Sequence, residues 1–257
     1  MGFPGSVLLN QGDIYKQTSD KRMPLGTRGY TRDGRVYRYA RNGASALVVA
    51  KPVQSSVPVT GAQAQHYFYT VASCGDASFS IRQGTSNSLT SANAYADGYM
   101  RVEAGTGAGQ QIQIKSHTAG ATSATMVTVI AHDGEALTAD CVATANSTAT
   151  GVGFIKNPYD CVLVTPLTTA TAPIVGIPPR AVTISYYFWL QTWGPATVYT
   201  AAALTMGKEV CISASTVAGQ LATVSTLAAG ITNQRVGNTM QIGATARYGM
   251  VFLTIAP

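Results

Sequence analysis

From residue 66 onward the chain repeats one pattern: a short run of β-branched and aromatic residues, then a turn built on Gly, Asn, Asp or Pro. Segments HYFYTVA (66–72), SFSIR (78–82), YMRVEA (99–104), QQIQIKS (110–116) and TMVTVIA (125–131) form the first series. AVTISYYFWLQTW (181–193), ATVYTA (196–201), EVCISA (209–214), LATVST (221–226) and YGMVFLTIA (248–256) form the second. Such residues suit a pleated, half-buried surface, and runs of this length bounded by turn formers read as strands. QQIQIKS alternates strictly, with Ile112 and Ile114 on one face and Gln111, Gln113 and Lys115 on the other. Helical periodicity is scarce, and LTSANAYADG (89–98) is the one short helix this region predicts. The fold class is therefore all-β, with sandwich-like or barrel-like modules.

The strand pattern divides the chain into an extended arm over 1–53, a first β-module over 54–165 and a C-terminal β-module over 166–257. The arm carries few large aliphatics before Leu47 and is punctuated by glycine. Within it, Asp33-Gly34 separates two short β-prone runs, a hairpin signal. ALVVA (46–50) reads as a short buried strand and KPVQSSVPVTG (51–61) as an extended linker, since Pro52 and Pro58 oppose helix. The second module opens on the Pro-punctuated stretch PLTTATAPIVGIPP (166–179).

Charge singles out the arm. Charged residues make up only 11% of the chain, against roughly 25% in an ordinary soluble domain. Ser, Thr, Ala and Gly fill the deficit in runs such as 85–98, 118–125 and 143–153. The net charge is +6, and the whole of that excess is contained in residues 1–51. A neutral body with a basic arm points to an acidic partner.

Catalytic chemistry has little to draw on. Three histidines are present, and His132 lies in HDGE (132–135), a segment that reads as a solvated turn rather than a metal or acid–base site. GTGAGQ (105–110) lacks a following GK[ST] and a helix, so it reads as a hairpin turn rather than a phosphate loop. The carboxylates lie mostly beside glycines, as turn formers do, and are not paired for acid–base work. The four cysteines (Cys74, Cys141, Cys161, Cys211) are widely spaced and read as free thiols. The first fifteen residues lack the basic and apolar regions of a signal peptide, and no apolar run is long enough for a membrane helix. The sequence predicts a non-enzymatic protein with no catalytic residue, metal or cofactor, made in a cytoplasm.

Two clusters remain. RGYTRDGRVYRYAR (28–41) interleaves Arg28, Arg32, Arg35, Arg38 and Arg41 with Tyr30, Tyr37 and Tyr39. Such a set suits docking on an acidic protein surface, where Tyr and Arg dominate hot spots. Nucleic-acid binding and a solvated hairpin are the other readings, with protein docking favoured by the alternation along one strand. SYYFWLQTWGPA (185–196) packs Tyr186, Tyr187, Phe188, Trp189 and Trp193 into one strand, where rings form core on one face and subunit interface on the other. A sugar platform would want nearby carboxylates, and Gln191 is the only close polar group.

The phrases LGTRGYTRDGRVYRYARNGASALVVAKPVQ (25–54), YADGYMRVEAGTGAGQQIQIKSHTA (95–119), NPYDCVLVTP (157–166) and YYFWLQTWGPATV (186–198) together resemble virion structural proteins of tailed bacteriophages, closest to capsid cement or decoration proteins. The resemblance implies a virion location on the capsid surface and the major capsid protein as partner. It also implies self-association, with a trimer favoured, and no membrane or direct nucleic-acid partner. Residues 28–41 would be the capsid-docking segment and the capsid lattice the acceptor. Removal of residues 1–51 is then expected to abolish docking and leave a folded body. The alternative is a head-fibre or receptor-binding virion protein that reads host glycans through residues 186–193.

Overall fold

A computed structural model describes residues 5–63, 66–84, 89–120, 125–142, 150–166, 170–213, 217–224, 234–242 and 244–257. Parts of the polar runs and of the expected strands at 209–214 and 221–226 lie outside the described residues. The chain forms two units: residues 1–57 together with 158–257, and residues 58–157. Among the described residues two one-turn helices accompany the strands, so the all-β expectation is met.

The first segment supplies β1 (Ser6–Leu8), helix α1 (Gln11–Ile14), β2 (Gln17–Thr18), β3 (Arg28–Tyr30), β4 (Val36–Arg41) and β5 (Val53–Gln54). The middle segment opens with α2 (Thr60–Gln63), followed by β6 (His66–Phe68), β7 (Ser78–Arg82), β8 (Tyr99–Ala104), β9 (Gln111–His117), β10 (Met126–Ala131) and β11 (Gly151–Ile155). The last segment holds β12 (Leu163–Val164), β13 (Ile174–Gly176), β14 (Tyr187–Tyr199), β15 (Glu209–Ile212), β16 (Leu221–Thr223), β17 (Arg235–Gln241) and β18 (Tyr248–Thr254).

The middle unit is a closed six-stranded barrel in the order β10-β7-β6-β11-β8-β9. Every pairing in it is antiparallel. Strands β8, β9 and β10 run as a meander and β11 returns beside β8, a Greek-key arrangement that leaves no open edge. Alternation puts Met100, Val102, Ile112, Ile114, Val127, Val129, Val152 and Phe154 inside. A line of rings runs through this interior: His66 lies 5.3 Å from Phe154, Phe154 5.9 Å from Tyr95, and Tyr95 6.0 Å from His117. Both imidazoles find backbone partners. His117 Nε2 accepts the Tyr95 N–H at 3.1 Å while Nδ1 lies 2.8 Å from the Thr118 carbonyl. His66 Nδ1 accepts the Gly84 N–H at 3.2 Å. Burial, opposed only by backbone hydrogen bonding, holds both rings below the usual histidine range.

The other unit is a sandwich. Its large sheet runs β1-β3-β4-β14-β18-β17-β15-β16, with β2 also on β14, and β12-β5-β13 form a second sheet. Strand β14 organises it. Its first half pairs with β4 and β2, and its second half pairs with β18. Between the sheets, Ile174, Val198, Val210, Val236, Val251 and Leu253 form one core cluster, and Ala40, Leu47, Val53, Val175, Phe188 and Leu190 form another. Gly237 on β17 lies so close to β18 that a Cβ there would sit 2.0 Å from the Phe252 carbonyl oxygen, which is why a glycine occupies a central strand.

Several expectations need correction. Residues 1–53 do not form a separate arm. The predicted hairpin is present, with Gly34 in the left-handed region at its turn, but β4 is an interior strand of the large sheet. Leu9, Ile14, Leu25, Tyr37 and Tyr39 build a further core cluster with Trp189. The segment gets its core from aromatics and scattered aliphatics rather than from an aliphatic run. Removing 1–51 would therefore strip β14 of its neighbour and two clusters of their walls, and no folded C-terminal body would remain. The C-terminal module is accordingly not a unit by itself. ALVVA (46–50) is no strand: Leu47 makes one bridge to Val182, and Ala50 turns the chain at φ +62°. LTSANAYADG forms turns, with Asn93 and Asp97 at positive φ, instead of a helix.

Candidate docking surface

Strand pairing brings the two clusters of the sequence together. In the β4–β14 register Tyr187 lies opposite Arg41, Trp189 opposite Tyr39, and Gln191 opposite Tyr37. On one face Tyr39 stacks on Tyr187 (centroids 5.9 Å apart, planes at 12°) and meets Trp189 edge-on at 5.3 Å. Phe188 faces the opposite way, into the core between the sheets. Trp193 packs edge-on against Phe252 at 5.6 Å, and Tyr186 is half-buried. The rings of residues 186–193 thus pack on both faces of one sheet, with Phe188 and Trp189 buried and Tyr186, Tyr187 and Trp193 half-buried.

The arginine–tyrosine set divides in the same way. Tyr37 is fully buried, and among the described residues its hydroxyl has no hydrogen-bond partner; burial pushes its pKa to about 12. Arg41 donates through Nε and an Nη to both carboxylate oxygens of Asp160 (2.7 and 3.1 Å) and reaches Cys161 Sγ at 3.1 Å. Burial works against its charge, but the Asp160 carboxylate more than offsets this and keeps the guanidinium protonated. Arg38 donates to the Gly26 and Pro257 carbonyls. Arg35 pairs with Asp33 at 2.8 Å. Asp33 also accepts from Thr31, chiefly for which reason its carboxyl lies below the ordinary range. What remains outward is Arg32, Tyr30 and the half-exposed Arg28, whose guanidinium lies 5.8 Å from the Tyr30 ring.

Three exposed cations escaped the motif: Lys16, Lys21 and Arg22. They lie on the excursion that leaves β1, crosses the sheet through α1 to β2 on β14, and returns towards β3. The adjacent Lys21-Arg22 pair in the polar run QTSDKRMP (17–24) is the signal that could have found them. Between the legs of this excursion opens a cleft of about 290 Å3, walled by Val7, Met23, Tyr39, Tyr187 and Trp189 and rimmed by Asp13, Lys16 and Arg22.

Charge follows the fold more sharply than it follows the sequence. The sandwich unit holds thirteen Lys and Arg against five Asp and Glu, a net of +8, and the barrel holds four against six, a net of −2. In the barrel, His132–Glu135 is a turn in which Asp133 takes the Lys115 ammonium at 2.6 Å and Glu135 accepts the Gln113 N–H at 2.5 Å. Residues 105–110 close the β8–β9 hairpin. The four cysteines are free thiols. Among the described residues no helix is long and apolar enough to cross a membrane.

No family model matches the chain, and neither the curated proteins nor the solved structures give a match.

Proposed function

We propose that this protein is a structural, non-enzymatic virion protein of the cement or decoration kind. It docks on the outside of a bacteriophage capsid lattice through the basic surface of its sandwich unit and reinforces the lattice together with its own copies. The observation that carries this reading is the net +8 of that unit, with Lys16, Lys21, Arg22, Arg28 and Arg32 at its surface. A concentrated excess of one sign steers association with an acidic partner and fixes orientation more than it adds affinity. The phage-like phrases supply the partner, the major capsid protein, and favour a trimer as the docking species. Phage-head location and synthesis in the host cytoplasm follow from the same reading. The glycan-reading alternative is less well supported, since Phe188 and Trp189 are only 1% and 5% exposed, which leaves Tyr186, Tyr187 and Trp193 as the half-exposed rings of that segment.

The test is co-sedimentation of purified protein with undecorated capsids. Reversal of the five cations to Glu should abolish association at physiological salt while leaving thermal unfolding in place. Capsid occupancy equal to wild type by this variant would overturn the reading.

A further inference from the structure

The cleft between the legs of the β1–β3 excursion is an apolar recess with Lys16 and Arg22 at its rim. Its floor is rigid, because Tyr39 and Trp189 are 4% and 5% exposed and locked by ring contacts, while Tyr187 and Met23 remain half-exposed. Small recesses of this kind, apolar inside with a few polar groups at the mouth, are what binding sites look like. Its volume of about 290 Å3 stands at the small end of the roughly 300–1,000 Å3 typical of ligand pockets. That size selects a large side chain over a long acyl chain.

The mouth selects charge. The side chains of Lys16 and Arg22 are 71% and 65% exposed. Asp13, the one carboxylate in the lining, is already committed to Lys16 at 2.8 Å and to the Asn10 N–H at 3.2 Å. The Lys16 hydrogen bond, with that from Asn10, keeps its carboxyl below the ordinary range. Arg22 forms an exposed ion pair with Asp20 at 4.0 Å, beyond hydrogen-bond distance and weak in water, so its donors can serve an incoming acid. The unit's +8 repels cationic segments and the same face of another copy.

We infer that this cleft is a docking pocket for an acidic polypeptide segment, seating one large apolar side chain on the Tyr39–Tyr187–Trp189 floor while flanking carboxylates meet Arg22 and Lys16. The inference rests on the docking function proposed above and names the chemistry of the segment recognised.

A random dodecapeptide library displayed on yeast, selected on the purified full-length protein, provides the probe. Enriched peptides should place Asp or Glu beside Leu, Met, Phe or Trp. Binding of the best peptide should fall about tenfold or more in Met23→Trp, which fills the recess, and in Arg22→Glu, whose largely exposed side chain can change without disturbing the core, as central hot-spot contacts do. Enrichment of basic peptides, no enrichment, or equal binding by both variants would sink the inference. Capsid co-sedimentation separates it from the broader reading. If Met23→Trp and Arg22→Glu decorate capsids normally while the five-cation reversal does not, the pocket inference fails and the docking function stands. Normal decoration by all three variants removes both.

Discussion

Removal of the Asp160 carboxylate is the sharpest probe of how residues 1–57 are tied to the last hundred residues. Asp160 is 4% exposed and chelates Arg41, 119 positions earlier in the chain, through two hydrogen bonds. Breaking a buried pair from one side leaves the surviving charge without compensation, at a cost of about 3–5 kcal/mol. The Arg41 side chain retains 35% of its exposure, so water recovers part of that loss, and about 2–3 kcal/mol is the expected cost of Asp160→Ala. For a unit of this size each kcal/mol moves the midpoint by roughly 2–4 °C, giving a fall of about 5–10 °C. Both tryptophans of the chain, Trp189 and Trp193, belong to this unit, so tryptophan fluorescence follows its unfolding with no contribution from the barrel. Arg41→Ala/Asp160→Ala should be less destabilised than the sum of the single variants, because the double change strands no charge. A midpoint for Asp160→Ala within about 1 °C of wild type, or strict additivity in the cycle, would refute the account of Arg41 as an internal tie rather than a docking residue.

Tyr37→Phe removes a buried hydroxyl that has no partner among the described residues and should raise the tryptophan-monitored midpoint or leave it unchanged; a loss above about 1 kcal/mol would show that the hydroxyl is satisfied. Acid should weaken the barrel well before its carboxylates titrate. Burial holds His66 and His117 below the usual histidine range in the folded state, whereas the unfolded chain protonates near 6.5. Stability is thus full above about pH 6.5, declines as pH falls through that value, and levels off below the folded-state values. Far-UV melts at pH 7.5 and 5 with equal midpoints in wild type would contradict this, as would an unchanged acid response in His66→Gln/His117→Gln. Phe154→Ala, at the centre of the ring line, should cost about 3–5 kcal/mol in urea unfolding, and a near-neutral result would mean the barrel interior collapses around the gap. Gly237→Ala should yield little folded protein on expression, since its Cβ meets backbone rather than a side chain that can move; normal yield and melting would disprove that contact.

Individual strands were legible because alternation is a local property. SFSIR and YMRVEA are β7 and β8 to the residue, and Ile112 and Ile114 point inward as their spacing required. What alternation could not supply was the partner of each strand. Arg and Tyr exchange faces along β4 whether the tyrosines meet a capsid or a core, and only the presence of β14, some 150 residues later, decides for the core. The same ambiguity hid the unit boundaries, because a sheet joining β4 to β14 has no signature in either strand alone. Strand β17 escaped notice for another reason: RVGNTMQ carries a glycine demanded by its neighbour, which disguises a central strand as a loop. The exposed cations Lys16, Lys21 and Arg22 lie outside the interleaved motif, so its pattern could not point to them.

The interruption of the sandwich by the barrel also sets an order of events during synthesis. The barrel closes on itself within residues 58–157, and every strand in it has emerged before β14 is translated. Strands β1, β3 and β4, made early, can pair only with one another, and the outer edge of β4 has no partner until residues 187–193 arrive. Nascent chains released before that point would carry Tyr37 and Tyr39 without Trp189 to cover them. The ribosome therefore delivers a finished barrel flanked by a waiting N-terminal ribbon. From the long separation between β4 and β14, completion of the sandwich is expected to be slower than closure of the barrel.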